Sequence, residues 1–180
     1  MVKDKFSFQE DQSYILTNQK IIKQNKIAHS VASHYIRTAI LGILREVNGD
    51  GKSKSLLNFL EEIRAGHALF TYKAFSAKYP QAKFRMAQRD FRQFGTKNGT
   101  RIDTKKVKKD ISTLLRIAKP VTKLGHEMIS RSNKRLPTVA PSTVNDIYTI
   151  IDLLEKLTIK YNLLLTQTHL PTLRSISEDW

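Results

Sequence analysis

The sequence contains no cysteine and has few glycines and prolines, seven and five among 180 residues. Without cysteine the chain has no disulfides, no thiolate zinc site and no cysteine nucleophile. It has no run of about 18 apolar residues, and charges interrupt its first positions, where a signal peptide needs an apolar core. We therefore expect a cytoplasmic protein that is neither exported nor inserted in a membrane.

Acidic residues are also scarce, since sixteen Asp and Glu stand against thirty-one Lys and Arg, a formal net charge of +15. The excess is concentrated between Lys73 and Arg135, where eighteen residues are basic and four are acidic. A local excess of this size repels itself unless a polyanion neutralises it. The sequence thus predicts a nucleic-acid partner. A membrane surface is disfavoured because the aromatic residues of this segment form no continuous apolar stripe.

Apolar residues recur at steps of three and four along most of the chain, which predicts an all-α protein, an up-and-down bundle of five to seven helices. Long helices are expected at 21–47, 103–131 and 142–167, and a short one between Ser55 and Gly66. Pro120 should kink or split the second long helix. We expect one bundle over residues 1–170, with a basic insertion-like segment at 67–98 and a tail at 171–180.

Individual helices carry more detailed expectations. The first long helix is apolar on more than half its circumference, including Val31 and Leu41, and is expected to be central. Pro141, and Thr143 with Asp146 three residues on, signal the start of the last long helix, and Lys160 should lie on its polar face. Asp103 is expected to cap the second long helix.

The basic segment from His67 to Phe94 is expected to form one or two helices interrupted at Tyr79–Pro80, followed by a loop at 95–101, and no part of the chain has the pattern of a strand. Within this segment phenylalanines alternate with arginines: Phe84, Arg85, Arg89, Phe91, Arg92 and Phe94. Two interpretations stay open. The rings could stack on unpaired bases, or they could be the core side of a helix whose arginines point outward.

Three segments carry a family resemblance in their order along the chain: ILREVNGDGKSKSLLNFLEEI, then VTKLGHEMISRSNKRLPT, then NDIYTIIDLLEKLTIKYNLLL. In this order and hydrophobic texture the chain resembles the HEPN superfamily of helical bundles, in particular its abortive-infection branch of antiviral phage-defence proteins. The resemblance implies an RNA-binding protein, with RNA favoured over DNA, and a homodimer formed through the helices around Pro120 to Arg135. Many members are metal-independent endoribonucleases whose site holds an Arg and a following His, so the resemblance implies either such an enzyme with an altered site or an RNA-binding relative that has lost cleavage.

In this chain the two residue types stand in reverse order, as His126 and Arg131. The resemblance assigns them the catalytic roles of general acid or base and of phosphate ligand, with Asn133, Lys134 and Arg135 as positioning groups. RNA cleavage without metal needs a base for the 2′-hydroxyl and a cation for the charged phosphorane, which such a pair supplies. Five helical residues separate the two side chains by about 140°, so a frayed helix or a dimer mate must bring them together.

The predicted nucleic-acid contacts are basic and polar residues of the middle segment. They are Lys83, Arg85, Arg89, Arg92, Lys105, Lys106, Lys109, Arg116, Lys119, Lys123, Asn133, Lys134 and Arg135. No metal or cofactor is predicted, because His29 and His34 lack the spacing of a metal pair and no glycine-rich phosphate loop is present.

Two alternatives to RNA binding stay open. The first is a non-enzymatic scaffold or subunit whose basic surface binds an acidic protein or a nucleoprotein. The second is a DNA-binding module, for which the sequence shows no recognisable helix-turn-helix signal.

Overall fold

A computed structural model describes residues 26–49, 51, 53–130 and 141–170, with side chains from residue 30 onward and, in the last helix, from residue 143. This part of the chain holds six α-helices and no strand, which confirms the predicted all-α bundle. The helices are α1 (Lys26–Glu46), α2 (Leu56–Ala65), α3 (Tyr72–Ser76), α4 (Phe84–Arg92), α5 (Thr104–Ser130) and α6 (Pro141–Thr166). Among them no helix is long and apolar enough to cross a membrane.

The three long helices α1, α5 and α6 pack against one another, and α2 packs against α5. On α5 the buried residues recur at steps of three and four, so one continuous face is removed from water. They are Val107, Ile111, Leu114, Ala118, Val121, Gly125 and Met128. Two other apolar residues of α5, Leu115 and Ile129, are exposed.

Helices α1 and α5 approach closely at Gly125. A Cβ atom there would lie 2.5 Å from Leu44 Cδ1 and 2.9 Å from Ile40 Cγ2. Both distances are too short for carbon atoms in contact. The absence of a side chain at Gly125 therefore sets how near the two helices can come.

The ends of the helices follow local rules. The Asp103 carboxylate accepts a hydrogen bond from the Lys105 backbone N–H at 2.9 Å, so Asp103 caps α5 as predicted. Helix α5 is not split at Pro120, which lies exposed inside it. Helix α6 begins at Pro141, one of the two predicted start signals.

The short helix α2 is capped at both predicted positions. The Ser55 hydroxyl accepts from the Asn58 N–H at 3.2 Å and donates to the Asn48 carbonyl at 2.6 Å. At the other end the Gly66 N–H donates to the Glu62 carbonyl at 2.8 Å.

Helix α1 is less central than its sequence predicts. Ile36, Ile40 and Ile43 are buried, but Val31 is 64% and Leu41 is 45% exposed. The physical reason is that α1 packs on α5 and α6 along one side only, so the apolar residues of its other side face solvent among the described residues.

A polar cluster joins α5 to α6. The Lys160 ammonium forms an ion pair with Asp110, and the Tyr161 hydroxyl donates to the same carboxylate at 2.8 Å. Burial, and then the bond to Asp110, raise the pKa of Tyr161 above its ordinary value. Lys160, which is predicted on the polar face of α6, is half-buried there because α5 supplies its partner.

Candidate nucleic-acid interface

Helices α3 and α4 form a pair that is held by aromatic side chains. The ring of Phe75 on α3 lies 5.3 Å from the ring of Phe91 on α4, and Tyr72 lies 5.6 Å from the same Phe91 ring. Thr71 caps α3 by accepting from the Ala74 N–H at 3.2 Å. Residues 77–83 separate the two α-helices, which confirms the interruption predicted at Tyr79–Pro80.

A short antiparallel hairpin follows α4. Its arms are joined by hydrogen bonds from the Thr96 N–H to the Arg101 carbonyl at 3.0 Å and from the Asp103 N–H to the Phe94 carbonyl at 2.7 Å. The turn between them contains Gly99 at φ +66°, a left-handed conformation that glycine adopts without strain. The predicted loop at 95–101 is thus a hairpin with a tight turn.

The segment before α3 adds a third extended piece to this hairpin. The Ile102 N–H donates to the Phe70 carbonyl at 3.0 Å, and the Tyr72 N–H donates to the Thr100 carbonyl at 2.9 Å. The second arm of the hairpin therefore lies between the first arm and residues 70–71. This pairing fixes α3, α4 and the hairpin as one unit, which we call the 70–103 unit.

Helix α4 has an inner and an outer face. Ala87, Asp90 and Phe91 are buried. At 100° per residue the exposed residues of the opposite side share an arc of about 100°. They are Arg85, Gln88, Arg89 and Arg92. We call this set the α4 face.

The exposure of the three phenylalanines of this segment distinguishes between the two interpretations, base stacking and core packing. Phe91 and Phe94 are 1% and 2% exposed, so they belong to the core and not to a surface on which bases stack. Phe84 is 46% exposed and is the one of the three that a base could reach. The outward arginines and inward rings match the core interpretation at two of the three positions.

The buried carboxylate of Asp90 has three partners. It accepts from the Tyr79 hydroxyl at 3.1 Å and from Arg89 Nε at 3.3 Å, and His169 Nε2 lies 2.7 Å from it. Although burial opposes ionisation, these hydrogen bonds together hold the pKa of Asp90 below its ordinary value. Burial, followed by the bond to Asp90, raises the pKa of Tyr79 to about 12.

The charges of the 70–103 unit are sorted by sign. All eight of its basic side chains are exposed: Lys73, Lys78, Lys83, Arg85, Arg89, Arg92, Lys97 and Arg101. Its two carboxylates are used internally, since Asp90 is buried and Asp103 caps α5. The surface of this unit therefore presents cations and no uncommitted carboxylate.

A second cationic row runs along α5, opposite its buried face. Five exposed residues there fall within an arc of about 80° at 100° per residue. They are Lys105, Lys109, Arg116, Lys119 and Lys123. We call this row the α5 stripe. All five are predicted contacts, and the helix brings them to one side because they recur at steps of three, four and seven.

Lys106 has a different role from the one predicted. Its ammonium donates to the Arg92 carbonyl at 2.7 Å and to the Gly95 carbonyl at 2.8 Å. It thereby satisfies acceptors at the C-terminal end of α4, where a cation also complements the helix dipole. Lys106 fixes α4 to the start of α5 and is not free to bind phosphate.

The predicted catalytic pair is described only in part. His126 is exposed on α5, on the edge of the α5 stripe. Arg131, Asn133, Lys134 and Arg135 lie outside the described residues, so the pairing with His126 stays a prediction. His67, next to the end of α2, has Nδ1 3.2 Å from the Arg64 carbonyl.

Several surface and supporting residues are not among the predicted contacts. Gln88 lies between the arginines of α4, Lys97 and Arg101 lie on the hairpin, and His169 supports Asp90. The spacing of Gln88 from Arg85 and Arg92, three and four residues, was a usable signal for one helical face. The roles of the hairpin and of His169 have no local signal, because they depend on pairing with distant residues.

Within the described part of the chain no three His, Cys, Asp or Glu side chains are grouped as a metal ion would need. Comparison of the chain with protein-family models, with curated proteins and with solved structures finds no match. The proposals below therefore rest on the sequence and on the geometry just described.

Proposed function

We propose that this protein binds nucleic acid through the α4 face and the α5 stripe. The observation that carries the proposal is the sorting of charge in the 70–103 unit, where every basic side chain is exposed and both carboxylates are engaged. Lysine and arginine that neutralise phosphates release condensed counterions, which favours binding. Without a polyanion this surface would only add self-repulsion to the folded state.

The α5 stripe is a second cationic row, outside the 70–103 unit. Its length from Lys105 to Lys123 is eighteen residues, or about 27 Å at 1.5 Å per residue. A straight row of this length can follow several phosphates of one backbone. Its contribution is non-specific, because contacts to phosphate carry no sequence information.

The test is the salt dependence of binding by the full chain to labelled DNA and RNA oligonucleotides. Log affinity falls as log salt rises, and we expect Arg116→Ala, Lys119→Ala and Lys123→Ala together to make this slope shallower by about two to three. The matched control removes three exposed cations elsewhere, with Arg45→Ala, Lys54→Ala and Lys156→Ala, and should leave the slope unchanged. Equal slopes in both triple variants, or no binding by the wild type, would overturn the proposal.

Ribonuclease activity is a second candidate, favoured by the position of His126. Its exposed imidazole lies beside the α5 stripe, near Lys119 and Lys123 in the helical register, where a bound phosphate backbone would run. An imidazole at such a place can move the proton of a 2′-hydroxyl. We expect cleavage of single-stranded RNA in the presence of EDTA and its loss in His126→Ala, with His34→Ala as the control. No cleavage by the wild type excludes this candidate.

A homodimer is part of the ribonuclease candidate, because five helical residues would separate the side chains at positions 126 and 131 by about 140°. The exposed side chains of Leu115 and Ile129, 45% and 58%, are apolar positions of α5 that a second copy could cover. Light scattering should then give twice the chain mass, and Ile129→Asp should return the mass to that of one chain.

Binding of polyglutamate but of no nucleic acid would instead support the scaffold hypothesis.

A further inference from the structure

The order of elements in and before the 70–103 unit is informative. Helix α2 is followed by the extended residues 70–71, by α3, by α4 and by the hairpin at 94–103. Two short packed helices in succession, the second with an exposed polar face, have the element order of a helix-turn-helix. The connection at 77–83 is longer than the three or four residues of the simplest such motif, and it includes the 3-10 turn Gln81–Lys83.

The inner side of this arrangement holds α4 rigidly. Phe91 contacts both Tyr72 and Phe75, and Lys106 donates to the carbonyl of Arg92, the last residue of the helix. The buried Asp90 joins α4 to Tyr79 and to His169 beyond α6. A helix so supported can present its outer face in one orientation, which recognition of a regular groove requires.

We propose that the nucleic acid is duplex DNA and that α4 is the recognition helix that enters its major groove. This inference rests on the nucleic-acid binding proposed above and specifies its substrate. Arg85 and Arg92 are seven residues apart, or about 10 Å along the helix, which spans about three base pairs. At base edges arginine pairs with guanine and glutamine pairs with adenine, so Arg85, Gln88 and Arg89 can together recognise a short base sequence.

The hairpin supplies a second contact to the same duplex. Lys97 is exposed in its turn, and Arg101 is exposed on the arm that pairs with residues 70–71. Hydrogen bonds join both arms to the segments that flank α3 and α4, so the hairpin keeps a fixed position beside the recognition helix. Cations at this position bind the phosphates next to the groove and set the register of the helix.

Duplex DNA fits this surface better than either form of RNA. The major groove of B-form DNA is about 12 Å wide and admits an α-helix, whereas the deep and narrow major groove of A-form RNA does not. Single-stranded RNA is held by bases stacked on aromatic rings. Phe91 and Phe94 are in the core, and Phe84 alone does not make a stacking platform.

The first experiment compares substrates with the full chain. Fluorescence anisotropy at physiological salt would use a mixed-sequence DNA duplex of about 20 base pairs, an RNA duplex of the same length and single strands of each. We expect the DNA duplex to bind about tenfold tighter or more than the other three. Equal binding of all four, or a preference for RNA, overturns this inference while the proposed function stands. No binding at all overturns both.

The second experiment tests the recognition helix itself. Arg85→Ala, Arg89→Ala and Arg92→Ala together should weaken duplex binding about tenfold or more, and the Arg45, Lys54 and Lys156 triple variant should not. In selection from random DNA duplexes, the wild type should enrich a motif, and Gln88→Ala should change the preference at one position with the salt slope unchanged. An unchanged affinity of the arginine variant, or no enriched motif, overturns the assignment of α4.

Discussion

The imidazole of His169 lies beside the carboxylate of Asp90, with Nε2 2.7 Å from Oδ2, although 79 positions separate the two residues. The contact joins the segment that follows α6 to the inner side of α4. Asp90 is 4% exposed and the His169 side chain is 46% exposed, so the contact lies at the edge of the core. It makes the position of the α4 face depend on the end of the bundle.

From this contact we predict that part of the free energy of unfolding is lost in acid. Asp90→Asn should lower the free energy of unfolding at neutral pH by about 1–3 kcal/mol, because it replaces a buried, hydrogen-bonded carboxylate. The folded-state pKa of Asp90 lies below its ordinary value of 3.8, so its contribution is present above 3.8 and is lost as the pH falls further. Urea unfolding at several pH values should show the difference between wild type and variant shrinking below 3.8. A difference that is constant with pH would contradict this.

Tyr79 predicts the opposite behaviour in alkali. Its pKa is raised to about 12 by burial and by the bond to Asp90, so the unfolded chain loses this proton first as the pH rises. The contribution of Tyr79 is complete below 10 and declines as the pH rises from 10 towards 12. Tyr79→Phe should cost about 1 kcal/mol at neutral pH and should remove this part of the decline. Unfolding measurements across the alkaline range, with phenolate absorbance as a second signal, check both expectations.

Two glycines give a matched test of helix packing. Gly125→Ala should destabilise the protein by about 1–3 kcal/mol, because the new methyl group would overlap Leu44 and the buried Ile40. Gly42→Ala on α1 has no atom within 4 Å of the new Cβ and should be neutral or stabilise by up to about 1 kcal/mol. Thermal and denaturant unfolding should show a loss of stability in Gly125→Ala and none in Gly42→Ala. A harmless Gly125→Ala would mean that the α1–α5 contact is looser than described.

Substitutions at the adjacent Lys105 and Lys106 test whether stability depends on the support of α4 or on positive charge alone. Lys106→Met should lower stability by about 1 kcal/mol, because the carbonyls of Arg92 and Gly95 lose their donor. Lys105→Met removes the same charge from an exposed site and should change stability by less than about 0.5 kcal/mol. Chemical unfolding gives both values. Equal losses in the two variants would show that charge, and not the support of α4, is responsible.

Much of the helical framework could be predicted from local sequence. The capping of α5 by Asp103, the capping of α2 by Ser55 and the break at Tyr79–Pro80 are each set by residues within a few positions. The buried face of α5 follows from periodicity alone. The exposure of Val31 and the partner of Lys160 could not be predicted, because both depend on which helix lies alongside.

For the candidate interface, too, some features could be predicted from the sequence and others could not. The cationic excess between residues 73 and 135 and the helical spacing of the α5 stripe are properties of the sequence. The contact of Lys106 with the end of α4 and the burial of Phe91 are properties of the folded structure. The sequence left both base stacking and core packing open for Phe91, and its contacts with Tyr72 and Phe75 place it in the core.

By itself the sequence determined an α-helical chain with a strongly basic middle, because helical periodicity, capping residues and net charge are local quantities. The tertiary structure decided that residues 70–103 combine two short helices with a hairpin, and that His169 completes the surroundings of Asp90. Backbone pairing between Phe70 and Ile102, and a hydrogen bond across 79 positions, form only when the chain is folded. Their energies depend on distance in space, which no local pattern of residues specifies.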